Sequence, residues 1–183
     1  MALFKFSEIE NLPSALPMAG VNLEYNSCLH LDVRSIIDLI EQEKLIAFNT
    51  EGRWSLYQLV ETIILKYGRS DLSIATWGLS EQPLRMISNL QDKQLIASFN
   101  ALLDYRIAER QPKAWQLVQS IASKIGIAKS HAKITVVQNE HIDIVIIGSQ
   151  NWTRNNKNES GVLIASKAVA EFYSNFIQSK IND

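Results

Sequence analysis

The residues able to do chemistry gather late in the chain, between positions 131 and 159. His131-Ala132-Lys133 opens a β-rich run, ITVV at 134–137, and a second run, IDIVII, follows at 142–147 after the polar stretch 138–141. Two such runs around a polar break read as a hairpin. Residues two apart in a strand point to the same side, so His131 and Lys133 project together and Ala132 points away. The second run ends in Gly148-Ser149-Gln150-Asn151. A hairpin brings its open ends together, which sets Ser149 and Asn151 beside His131 and Lys133. Glu159 follows, just before the apolar run GVLIA at 161–165. An imidazole, an ammonium, a hydroxyl, a carboxamide and a carboxylate in one small volume suit a phosphodiester. The ammonium, amide and hydroxyl can hold non-bridging phosphate oxygens and stabilise the charge that develops there. The imidazole can attack phosphorus or move a proton, and a carboxylate can fix the ring's tautomer.

These residues resemble the phospholipase D superfamily motif, His-x-Lys-x4-Asp followed by Gly-Ser-x-Asn. Here it reads HAKITVVQ and GSQN, and NxxxxxxNESGVLIAS continues in the family's manner. The single motif resembles the small bacterial endonuclease branch. The resemblance implies that His131 is the nucleophile of a covalent phosphohistidine, that Lys133, Ser149 and Asn151 hold the phosphate, and that Glu159 orients the histidine. It implies no metal and no cofactor. The family needs two such motifs per active site, so the resemblance also implies a homodimer with both His131 residues across a shared cleft. Two departures stand out. Gln138 occupies the place of the family's aspartate, with Asp143 in the return strand as another carboxylate. The hairpin is also longer than usual, Gly148 coming seventeen residues after His131. The readings left open beside a nuclease are a lipid phosphodiesterase and an inactive module that binds nucleic acid or protein.

The elements that must position these residues alternate. Helical spacing over 32–43 puts Val33, Ile36, Ile37 and Ile40 on one face behind Asp32 as N-cap. A strand over 44–49 and a turn at 50–52 lead to an amphipathic helix over 54–67, stopped by Gly68. A strand over 71–77 and a helix over 81–91 follow. The run 94–103 fits helix or buried strand, and alternation favours strand. A helix over 112–124 has Pro112 in its first turn. After the hairpin come a strand over 161–165 and a closing helix over 167–180, with Val169, Phe172, Tyr173, Phe176 and Ile177 on one face. The fold class is α/β: a phospholipase D-like sandwich with a mixed central sheet and helices on its faces. Residues 1–43 read as an extension with one helix that wraps the core or contacts a partner, and 44–183 as the phospholipase D-like domain.

Composition narrows the context. The 183 residues carry a formal net charge of −1, which gives no global signature for nucleic acid. The distribution is uneven: 1–49 sums to −4 (three bases, seven acids), and 104–138 sums to +4 (six bases, two acids). A basic stretch leading into the motif can steer an anionic backbone. Cys28 is the one cysteine, so no disulfide forms within the chain. The start lacks the pattern of a signal peptide, and no apolar run approaches the ~20 residues that span a bilayer. The expectation is a soluble, cytoplasmic protein without membrane attachment. His30 and His141 read as surface histidines, Arg154 as an exposed arginine, Trp152 as core or loop packing, and Trp77 as a buried strand end.

Overall fold

The computed structural model describes residues 24–28, as backbone, and 32–182. His30 and most of the expected N-terminal extension lie outside them. The chain runs β1 (Glu24–Cys28), α1 (Val33–Asp38), β2 (Lys44–Asn49), α2 (Leu56–Tyr67), β3 (Ser70–Thr76), α3 (Glu81–Asp92) and β4 (Ile96–Asp104). It continues through α4 (Ile107–Arg110), α5 (Pro112–Ile121), β5 (Lys124–Ala128), β6 (Ile134–Gln138), β7 (Asp143–Gly148), β8 (Ser160–Ala165) and α6 (Lys167–Asn182). The strands form one sheet in the order β1-β2-β8-β7-β6-β3-β4-β5. It is mixed: β1–β2, β3–β4 and β4–β5 are parallel, and the pairs from β2 through β8, β7 and β6 to β3 are antiparallel.

Period-two alternation assigns each strand's apolar residues to two layers. Ile74, Ile144, Ile146 and Leu163 face the larger core, shared with buried residues of α1 to α5. Ala75, Val136, Val145 and Ile164 face the smaller core under α6. Helices cover both faces, as alternating elements require. Of the α6 stripe, Val169 and Ile177 are buried, together with Ala170, while Phe172, Tyr173 and Phe176 stay half-buried. No described helix is long and apolar enough to cross a membrane.

Local signals explain most boundaries. Asp32 caps α1, its carboxylate accepting from Ser35 N at 2.8 Å. The helix expected over 32–43 stops at Asp38, because the chain must turn: Glu43 takes φ 58° and its N–H donates to Ala165 O at 2.6 Å, starting β2 beside β8. Ser55 and Gln58 form a reciprocal capping box on α2, and Gly68 ends it at φ 87°. The run 94–103 holds a strand, Ile96–Asp104, as alternation suggested. The helix expected over 112–124 ends at Ile121, and Lys124 opens β5, a strand the periodicity concealed. Gly126 at its centre is required by the close approach of α6: a Cβ there would lie 2.8 Å from Ile181 Cα and Lys180 O. A glycine that makes room for a helix also weakens the strand pattern by which β5 would be recognised.

Candidate active site

Four strands that carry the site meet at one end of the sheet. β3 and β7 end there, at Thr76 and Gly148, while β6 and β8 begin there, at Ile134 and Ser160. His131 and Lys133 lie just before β6. Ile134 pairs with Ala75 of β3 and Ile147 of β7, so the residues preceding it sit between the exits of both strands. Gly148 N donates to Lys133 O at 3.4 Å, closing the open end of the hairpin. The loop after β7 is stitched to the loop after β3: Trp152 N donates to Gly78 O at 3.1 Å, and Ser80 N to Trp152 O at 2.9 Å. Trp152 itself is buried, as read from sequence, and its indole N–H donates to the buried Thr135 hydroxyl at 3.0 Å. That side chain anchors the Gly-Ser-x-Asn loop to β6.

Each expected site residue has a defined setting. Lys133 Nζ lies 3.0 Å from His131 Nδ1 and 3.5 Å from Nε2, and donates to His131 O at 2.9 Å. An ammonium only donates, so a neutral ring accepts from it through Nδ1, the nearer nitrogen. Burial lowers the Lys133 pKa from the ordinary lysine value, and the Glu159 carboxylate recovers part of the shift. Asn151 Oδ1 accepts from Gly78 N at 3.1 Å, which identifies the oxygen and leaves the carboxamide N–H groups as donors. Ser149 N donates to Ser160 O at 2.9 Å, and the Ser149 hydroxyl accepts from Ser160 N at 3.2 Å and donates to Glu159 Oε2. Gly148 precedes it because a Cβ there would stand 2.5 Å from Ser160 O.

The Glu159 side chain is held by two neighbours. One carboxylate oxygen takes the Ser149 hydroxyl and the other takes Asn155 Nδ2. The main chain of Glu159 is locked to the buried Thr50, by N to Thr50 Oγ1 at 3.0 Å and Thr50 N to Glu159 O at 2.8 Å. The groups against the His131 ring are Lys133 and Trp77. Trp77 is half-exposed rather than buried, its ring 5.4 Å from the imidazole at 55°. Behind it, the Arg110 guanidinium lies 3.9 Å from the indole centroid, bonded to Trp77 O at 3.0 Å and to the buried Asp104 at 2.6 Å.

Solved structures share this arrangement of strands and helices. Nuc from Salmonella typhimurium, a phospholipase D family member, superposes with a TM-score of 0.55 at 15% identity, over 75% of this chain and 93% of Nuc. NucT from Helicobacter pylori gives 0.59 at 14% identity, over 76% of this chain and 96% of NucT. The chain has the phospholipase D fold. A phosphatidylserine synthase from Haemophilus influenzae has the phospholipase D fold too, matching at 0.51 and 13% identity over 76% of this chain and 38% of its own. A fold does not choose a substrate. No family model and no curated protein matches the sequence.

Against the phospholipase D fold, the two departures in the sequence can be located. Gln138 and Asp143 are direct partners across the far end of the hairpin, Gln138 Nε2 donating to Asp143 Oδ1 at 2.8 Å. Five residues of strand separate them from Lys133, about 16 Å at ordinary strand rise. They close the hairpin and do not reach the imidazole. Sequence reasoning missed Asn155 and the Asp104–Arg110–Trp77 stack. Asn155 had no signal beyond its place four residues before Glu159, and the stack joins three elements that only the fold brings together.

Proposed function

We propose that the protein is a phosphodiesterase, and within that class a metal-independent nuclease acting on DNA or RNA in the cytoplasm through a phosphohistidine on His131. The observation that carries this reading is the convergence of His131, Lys133, Ser149, Asn151 and Glu159 at one end of a phospholipase D fold. Lys133 and the Asn151 N–H groups take the non-bridging oxygens, and Ser149 holds Glu159 in place beside them. A bound phosphate draws the Lys133 ammonium off the imidazole, since an anionic oxygen is the stronger acceptor. The freed ring attacks phosphorus: the N–P bond forms, the P–O bond to the leaving sugar breaks, and a second histidine gives that oxygen its proton. Water activated by that second histidine then releases the phosphate. The locally basic stretch 104–138 and the likeness of the motif to the endonuclease branch favour nucleic acid over lipid. Incubation of single- and double-stranded DNA and RNA with the protein in EDTA, beside a His131→Ala control, tests the reading.

The second histidine comes from a second copy of the chain, related by a two-fold axis. Tyr105 and Ile127 are 52% and 47% exposed at the same end of the sheet as His131, brought together where Tyr105 N bonds Ala128 O. Exposed apolar side chains beside an incomplete site suit a self-contact. Sedimentation at micromolar concentration should give a dimer; a monomer that still cleaves would contradict the shared site.

Lys133 must be charged to hold phosphate. Its pKa lies below the ordinary lysine value of 10.5, so the charged form is lost earlier as pH rises. The alkaline limb of the rate profile should therefore fall below pH 10.5. A limb absent up to that pH would separate Lys133 from phosphate binding.

A second reading, a module that binds phosphate without cleaving it, is favoured by the Lys133 ammonium lying against the His131 ring. It predicts binding without turnover in the same incubation.

A further inference from the structure

A second concave site adjoins the first. It is a cavity of about 310 Å³ between the β2–α2 turn, the first turn of α2, the start of α3 and the loop after the Gly-Ser-x-Asn motif. Its polar lining comprises Arg53, Gln58, Gln82, Arg154, Asn155 and Asn156, with Trp54 and Tyr57 as aromatic wall. The lining holds two guanidinium groups and no carboxylate. Among the described residues, neither the Arg154 guanidinium nor the Gln82 carboxamide has a hydrogen-bond partner. Arg53 is paired with Glu51 at 3.0 Å.

Charge and donor chemistry restrict the ligand. Arg154, a cation with no acid against it among the described residues, selects an anion, and arginine forks match phosphate oxygens. Carboxamides offer donors and acceptors in one plane, which suits the edge of a nucleobase. The volume sits at the lower end of the range for ligand clefts, enough for one nucleotide unit and too small for a stacked duplex. The cavity is linked to the catalytic cluster through its wall: Asn155 lines it and donates to Glu159, which accepts from Ser149 on its other oxygen. The Asn155 main chain is pinned by Ser55, its N–H donating to Ser55 Oγ and its carbonyl accepting from it, each at 3.0 Å. That wall is rigid and shared by both sites.

We propose that this cavity is a subsite for the nucleotide unit next to the scissile phosphate, Arg154 taking its phosphate and Gln82 contacting its base. The substrate is then an unstacked single strand, whose successive units occupy the catalytic cluster and the cavity. The inference rests on the nuclease reading for the identity of the strand, and its test does not need turnover. Binding of a fluorescein-labelled single-stranded oligodeoxynucleotide is followed by anisotropy in full-length protein carrying His131→Ala. Adding Arg154→Ala should weaken binding about tenfold, the size of one charge-assisted phosphate contact. Gln82→Leu, which alters no charge, should weaken it by about threefold or more, the low end for a lost neutral hydrogen bond. Arg85→Ala on the exposed face of α3 is the control for general electrostatics, and thermal melts confirm that each variant folds. Loss in both Arg154→Ala and Gln82→Leu beyond that of Arg85→Ala supports the subsite. Equal losses in Arg154→Ala and Arg85→Ala, no loss in Gln82→Leu, or no binding by the parent overturns it. Failure of the nuclease reading shows separately, as absence of cleavage by the wild-type chain.

Discussion

His131→Ala is expected to lower phosphodiester cleavage by roughly 10³-fold or more, the scale on which removing a nucleophile from a cooperating set acts. Alanine leaves no atom able to form the N–P bond. The remaining donors, Lys133 and Asn151, would still hold the phosphate, so binding should persist while turnover is lost. His131 is exposed and its side chain stacks only on Trp77, so the substitution should barely move the melting temperature. Two measurements decide the matter. Release of p-nitrophenol from bis(p-nitrophenyl) phosphate in EDTA should disappear in the variant. Alkali-stopped reactions of the wild-type chain with a labelled substrate should carry label on histidine, which base preserves and acid removes. Cleavage undiminished by the substitution would sink the covalent mechanism.

Trp152→Ala is expected to cost about 3–5 kcal/mol of folding free energy, because a fully buried indole leaves a cavity its surroundings cannot refill. Trp152 is 1% exposed within the larger core, reaching Thr135 on β6 while its main chain holds the loop at 78–80. The Thr135 hydroxyl, wholly buried, also loses its partner, which adds about 1 kcal/mol. A domain of this size gives up about 2–4 °C per kcal/mol, so the melting temperature should fall by about 8–24 °C. Activity should fall as well, since Ser149 and Asn151 take their positions from the same loop. Trp152→Phe separates the two effects, keeping most of the volume and removing only the N–H. A loss under about 1 kcal/mol in the alanine variant, by denaturant titration, would show that the loop is held by its main-chain bonds alone.

How far the sequence reached can be traced through particular residues. The His-x-Lys and Gly-Ser-x-Asn pairings are local: a hairpin's register joins its ends, so Lys133 and Ser149 were readable as neighbours before any coordinates. Capping residues were equally legible. Asp32 and Gly68 act on backbone groups within one turn, and their meaning survives any tertiary setting. The strand over 96–104 followed from alternation alone. β5 was not legible, because Gly126 answers to the backbone of α6, more than fifty residues away.

The site divides along the same line. By itself the sequence determined which functional groups are present and that the loop after β7 returns beside the start of β6, a consequence of hairpin register. His131 and Lys133 precede β6, so their contact follows from the folded loop and not from strand periodicity. Only the tertiary structure decided what each group touches. It turned Glu159 toward Ser149 and Asn155, set Trp77 against the imidazole with Arg110 and Asp104 behind it, and opened a cavity walled by residues 53, 82 and 154. Those contacts join β2, α3, β4 and the 149–159 loop, whose spacing in the chain carries no trace of their distance in space. Side-chain periodicity is a property of one element, whereas a second layer of contacts depends on how elements pack, and packing is written in the whole sequence at once.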